Sequence, residues 1–263
     1  FRSSIAVGDI TGLSSLTALE KLDLSGCDIT NYGPLAGLTE LTELSLSDTG
    51  IIDLTVLGGM RKMRRLHLSN TGVSDIGPLS RMTALRMLFL SGTNVADLTP
   101  LAGLTYLIKL EVDDTEVEDV TPLAGLRALQ GLRLDQSLVR DLRPLRELWN
   151  IAEDPAHGGL MFRDIPALAL DETLRQLAEI KGNEERGRKT LEYLNGVKYA
   201  APSSAERAPV AEQRSVARQQ LDFLVSTAPV SLRSAEWLAL QLEDALRQLP
   251  AAPGRNALPE EIQ

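Results

Sequence analysis

Leucine recurs at positions 13, 35, 57, 79, 101, 123 and 145, an interval of 22 residues that runs without insertion or deletion. A fixed period of this length marks a solenoid, in which each unit is one supersecondary element stacked on the next. With the first leucine of a unit counted as position 1, apolar residues return at 4, 7, 10, 12, 17 and usually 20. The step from 10 to 12 is the alternation of a short strand. Pairs such as Leu22 and Leu24, or Leu66 and Leu68, are therefore predicted to point inward, with the residue between them on the opposite, solvent face.

Farther along each turn, Asp or Asn stands at 31, 53, 75, 97, 119 and 141, followed by an apolar residue and usually a Pro. This order predicts a capped single-turn helix on the convex side and gives the acidic ladder a structural role. At Thr99-Pro100 the hydroxyl is expected to accept from the free amides of the first turn, and Pro at N1 loses no intrahelical bond. A half unit precedes the first full one, because Val7, Asp9 and Ile10 fall where Val73, Asp75 and Ile76 fall three turns later. The solenoid is thus expected to be cut open at its N-terminus.

One unit cannot bury its apolar face alone, so neighbouring turns supply the covering surface. Six or seven apolar residues per unit, each worth roughly 1.5–3 kcal/mol when buried, make an ample core without aromatics, and the chain has only four Phe. An outward-pointing aromatic is then informative.

The unit L-x-x-L-x-x-L-x-x-L-x-L-S-x-T-x-[IV]-x-D-[LIV]-x-P, repeated six times from Leu13 to Pro144, closely resembles the repeats of the internalins. The resemblance implies a leucine-rich-repeat fold: an α/β solenoid, a right-handed superhelix with a parallel concave sheet and short convex helices. It also implies binding of a protein or peptide ligand through the concave face. The chain departs from the internalins in showing neither their secretion signal nor an immunoglobulin-like module after the repeats, which weighs against surface adhesion. Some bacterial ubiquitin-ligase effectors also carry such repeats, but their catalytic module uses a Cys, and this chain has none after Cys27.

Alignment of the turns gives a central outward row of Asp23, Ser45, His67, Phe89, Glu111 and Arg133, and a row before it of Lys21, Glu43, Arg65, Met87, Lys109 and Gly131. Met87 and Phe89 are expected to face solvent. Exposed Met and aromatic residues ringed by charge are the usual composition of an interface hot spot, and Arg65, His67, Lys109, Glu111 and Arg133 would make its rim. The competing reading is that single exposed apolar residues are ordinary on surfaces. Six strands about 4.8 Å apart make a strip only about 29 Å long, on the order of 300–450 Å², below the roughly 800 Å² per partner of a standard interface. Loops or the C-terminal region are expected to contribute, unless binding is weak or repeats are missing.

Charge and composition narrow the chemistry. A net charge of −9 argues against a nucleic-acid partner. Arg61, Lys62, Arg64 and Arg65 share one turn, and Glu111, Asp113, Asp114, Glu116 and Glu118 follow two turns later, so the surface is either simply solvated or dipolar enough to orient a partner. Asp113 and Asp114 lack the spacing and Gly of a calcium loop. Cys27, the single cysteine, sits where Thr49, Thr71, Thr93 and Thr115 sit in other turns and is expected to be a buried ladder residue. No cofactor, metal site or catalytic constellation is expected, and no apolar run reaches the length of a membrane span. Position 1 is Phe, so these residues are readable as a piece of a longer protein. The localisation expected from the sequence is cytoplasmic.

After Pro144 the strict repeat fails: LRELWNI keeps the first apolar positions, and AEDPAH delays a last strand containing Leu160 and Phe162. The solenoid is thereby placed at 1–166. A helical cap follows at 167–195, read as ALDETLRQLAEI and NEERGRKTLEYL. GNEERGRKT carries Gly182, Gly187, Lys189 and Thr190 but has Arg188 between Gly and Lys and follows a helix, so it does not read as a phosphate loop. A linker at 196–209, a helical hairpin at 210–249 with Leu221, Phe223, Trp237 and Leu242, and a tail at 250–263 complete the chain. The function read from all this is an interaction or sensor module, with no enzymatic activity. The alternatives are a regulatory subunit docking on an enzyme such as a phosphatase, and a structural module making a homodimer through the C-terminal helices.

Overall fold

The computed structural model describes residues 5–153 and 157–196. The linker, hairpin, tail and homodimer expected from the sequence after residue 196 lie outside the described residues.

Each turn opens with a three-residue strand: β2 (Lys21–Asp23), β4 (Glu43–Ser45), β5 (Arg65–His67), β6 (Met87–Phe89), β7 (Lys109–Glu111), β8 (Gly131–Arg133) and β9 (Gly159–Met161). They form one seven-stranded parallel sheet in chain order. The 22-residue interval is the register: Leu22 faces Leu44, Leu44 faces Leu66, and so on to Leu132 opposite Leu160. Two further strands, β1 (Ile5–Gly8) and β3 (Cys27–Ile29), pair in parallel as a separate small sheet.

The return half of each turn is a 3-10 segment of three to five residues, as at Gly33–Gly37, Thr99–Leu101 and Arg143–Leu145. The cap differs from the expected one. Thr99 lies inside the turn, and the residue before it contributes no side-chain cap. Instead the Asp two residues earlier accepts the backbone N–H: Asp53 from Thr55 at 2.8 Å, Asp75 from Gly77 at 2.7 Å, and Asp97 from Thr99 at 2.7 Å. A carboxylate tied to the backbone two residues on is an Asx turn, which a 3-10 segment too short for N2 and N3 amides accommodates better than a helical cap. The Thr99 side chain and backbone hold the Asp97 carboxyl below its usual range. The acidic ladder is accordingly structural.

A second ladder runs where strand gives way to turn. Gly26, Asp48, Asn70, Gly92, Asp114 and Gln136 all have positive φ, 22 residues apart. Each donates its N–H to the next turn, for example Asp48 to Ser69 at 2.9 Å and Gln136 to Arg163 at 2.8 Å. Gly, Asn and Asp tolerate this left-handed conformation at least cost. Just beyond it, Thr49, Thr71, Thr93, Thr115 and Ser137 are buried and donate their hydroxyls to the carbonyl three residues back, at 2.6–2.7 Å. Cys27 takes this position in the first full turn and is likewise buried.

From Leu35 to Leu148 the repeat leucines are sealed at 0–1 % exposure, with Leu138 at 7 % the exception. The first turn is looser: Leu13, Leu19 and Leu22 are partly buried, and Leu16 is 48 % exposed. At the other end the delayed strand is β9, with Leu160 and Phe162 fully buried. The short helix α1 (Asn150–Glu153) precedes it. The expected first cap helix is divided into α2 (Ala167–Leu170) and α3 (Glu172–Ala178) by Asp171, which is extended at φ −141° and accepts from the amides of Thr173 and Leu174. The last helix, α4 (Asn183–Gly196), packs on β9 and includes the expected NEERGRKTLEYL segment. Its buried Arg186 donates from Nε to the Leu160 carbonyl at 2.9 Å, from Nη1 to the Ile180 carbonyl at 2.7 Å, and from Nη2 to Asn183 Oδ1. Gly187 and Thr190 are buried within this helix, which leaves no phosphate loop.

Candidate functional site

Two rows of side chains rise from the outer face of the sheet. The parallel register sets Arg65 beside Met87 and Met87 beside Lys109, and it sets His67 beside Phe89 and Phe89 beside Glu111. The seven residues singled out from the sequence, Arg65, His67, Met87, Phe89, Lys109, Glu111 and Arg133, thus occupy one contiguous patch over β5 to β8.

Met87 and Phe89 are half-buried rather than open to solvent on all sides. The reason is a stack: the His67 and Phe89 rings are parallel, with centroids 4.2 Å apart and planes inclined by 7°. Strands about 4.8 Å apart bring flat rings on adjacent strands to stacking distance. The Lys109 ammonium stands 5.4 Å from the centre of the Phe89 ring, within cation–π range. It also pairs with Glu111 at 3.0 Å.

The flanks are charged and paired. Glu43 lies between Lys21 at 3.4 Å and Arg65 at 3.3 Å. Arg133 Nε lies 2.9 Å from Asp113 Oδ2, at an angle outside that of a hydrogen bond. Burial raises the Asp113 pKa, against the pull of Arg133 and the Asp135 N–H. The uncharged middle of the surface is therefore Met87, Phe89 and His67.

Gly131 corrects the expected outward row. It is buried, and a Cβ there would meet the His157 carbonyl oxygen at 2.0 Å. His157, just before β9, lies over the sheet at this point and closes the row, which is why the residue is glycine. The patch is accordingly bounded at β8 and open toward β5.

Burial lowers the His67 pKa below its ordinary 6.5; Glu43, Asp23 and Glu111 oppose this and Arg65 reinforces it. Its imidazole is then neutral near pH 7, which suits the ring stack. The unfolded chain takes up this proton before the folded one, so the contribution of His67 to stability is fully present above pH 6.5 and is lost as pH falls through the lower folded value. An NMR titration of the imidazole is expected to give a midpoint below 6.5. A midpoint at or above that value would contradict the placement.

Among the described residues no group of three His, Cys, Asp or Glu is placed to hold a metal ion, and no helix is long and apolar enough to cross a membrane.

A family model described as leucine-rich repeats in two copies matches residues 17–59 and 61–103. No curated protein matches the chain. Among solved structures the chain is similar to internalin C2 of Listeria monocytogenes, at 32% identity over 63% of this chain and 73% of that one, with a TM-score of 0.56. It shares its fold with a leucine-rich-repeat protein of Leptospira interrogans, at 16% identity over 64% of this chain and 49% of that one, TM-score 0.50. A plant peptide hormone receptor, RGFR1, solved in complex with RGF2, matches at 16% identity over 57% of this chain and 26% of that one, TM-score 0.50.

Proposed function

The chain belongs to the leucine-rich-repeat family, with internalin-like repeats, and from that premise we propose that it is a recognition module that binds a protein or peptide segment on the outer face of its sheet. The observation that carries this reading is the platform of Met87, Phe89 and His67. Every turn is held by inward leucines, so stability does not call for apolar residues on the outer face. Two large ones nonetheless stand side by side there, between ion pairs. Apolar centres with a polar rim are where binding energy concentrates in interfaces. The peptide-bound plant receptor shows that a protein of this fold takes such a ligand.

The test is a pair of captures from native extract, with the whole chain and with a Met87→Ala, Phe89→Ala variant. Both residues are only half-buried and their inward neighbour Leu88 is untouched, so the fold is retained. Loss of two anchors is expected to weaken a specific partner by about 2–4 kcal/mol, roughly 30-fold or more. A partner bound equally by both chains would place recognition elsewhere.

A further inference from the structure

We propose that the ligand of this platform is an acidic peptide segment that sets an apolar side chain on Phe89 and Met87 and its carboxylates on Arg64 and Arg86. This rests on the reading above and specifies the ligand's chemistry.

The protein as a whole carries a net charge of −9, so a basic patch on it is a local feature. Arg64 and Arg86 immediately precede β5 and β6 and are both exposed. They are neighbours on adjacent turns: the Arg86 N–H donates to the Arg64 carbonyl at 2.9 Å, and the Met87 N–H donates to the same oxygen at 3.0 Å. Neither guanidinium has an ion-pair partner among the described residues. The equivalent positions in the other turns are Thr42, Ile108 and Gln130, which carry no charge, and Glu20. Arg65 adds a third cation beside Met87, held only by the 3.3 Å contact to Glu43.

Two acidic groups at the other end of the strands are engaged. Asp113 accepts the Asp135 N–H and pairs with Arg133, and Asp135 accepts the Arg163 N–H and pairs with its guanidinium at 3.1 Å. The unpaired cations where β5 and β6 begin are therefore Arg64 and Arg86, while exposed acids without an ion pair among the described residues, Asp114 and Glu116, lie beyond the opposite end of β7. Two guanidinium groups rooted just before adjacent strands, whose backbones lie about 4.8 Å apart, are close enough to serve neighbouring carboxylates of one segment, and each offers a fork that a carboxylate accepts bidentately. A segment crossing the strands from β5 to β7 meets these donors and the apolar platform together.

Random peptides displayed on phage would be selected against the full chain, then made with a fluorescent label and titrated against variants. Selected peptides are expected to be rich in Asp or Glu next to an aromatic or aliphatic residue. They should bind Arg64→Glu, Arg86→Glu about tenfold or more weaker, the loss expected for two charged hydrogen-bond sites. The Arg127→Glu, Arg188→Glu control, which reverses the same charge in the turn before β8 and in α4, should leave binding unchanged.

Peptides weakened by Met87→Ala, Phe89→Ala but indifferent to Arg64→Glu, Arg86→Glu would overturn the acidic ligand and leave the platform standing. Peptides that bind all variants alike, or no peptide selected at all, would overturn both.

Discussion

Leu110→Ala is expected to destabilise the protein by about 3–5 kcal/mol, the upper range for a fully buried leucine. Leu110 is the inward residue of β7, has 0 % exposure, and stands in register between Leu88 and Leu132, which are equally buried. Truncation opens a cavity that touches two turn-to-turn interfaces at once. In a solenoid, stability is a sum of turn terms and nearest-neighbour terms, so a central defect weakens the stack on both sides. Leu22→Ala is the internal comparison: Leu22 holds the same place in the outermost strand, β2, and is only partly buried. Its cost should be about half or less, because less contact is lost. Urea unfolding followed by circular dichroism measures both. Equal losses at the two sites would show that turns do not couple as the register implies.

The second large effect is expected at Arg186. Its guanidinium serves the carbonyls of Leu160 and Ile180 and the Asn183 side chain, tying the last strand, the turn before α4 and α4 itself to one group. Leu160 lies in the outermost strand, where a carbonyl has no further strand to pair with. Arg186→Met keeps much of the stem and removes every donor. Buried acceptors left unpaired cost about 1–3 kcal/mol each, so a loss on the order of 3–5 kcal/mol follows. Because each turn contacts only its neighbours, the damage should stay local: amide exchange in β9 and α4 should accelerate while that in β4 and β5 is unchanged. Unaltered protection in β9 would mean that the cap does not depend on this residue.

The body of the solenoid was legible because its contacts repeat. The interval that aligns Leu44 with Leu66 also aligns His67 with Phe89, so both outward rows could be written from the chain alone. The stack of those two rings was not, since register shows adjacency but not ring orientation. Gly26, Asp48, Asn70 and Gly92 carried a readable signal for the left-handed ladder, small or amide side chains at one position per turn, that a search for apolar periodicity passes over. The ends resisted for another reason. Arg186 reaches Leu160 across 26 residues, and the His157 carbonyl lies over Gly131, contacts made once and therefore without a period to betray them. At Asp171 the helical pattern continued while a side chain capable of capping its own following amides divided the helix. The cluster of Arg61, Arg64 and Arg65 was visible as charge, but only the structure separates Arg65, paired with Glu43, from Arg64, which has no ion pair among the described residues.

The ladder of N–H groups at the positive-φ residues, each donating to the turn ahead, has a mechanical consequence. Together with the strand hydrogen bonds it runs along the axis of the stack, so tension applied along that axis loads one turn's bonds at a time instead of shearing many in parallel. The molecule would extend as a zipper opens, in steps. Each step frees 22 residues, about 70 Å of extended chain, and leaves the next turn intact at the fork. Pulled from its ends, such a body is expected to lengthen turn by turn, its resistance set by one turn's bonds and not by the length of the stack.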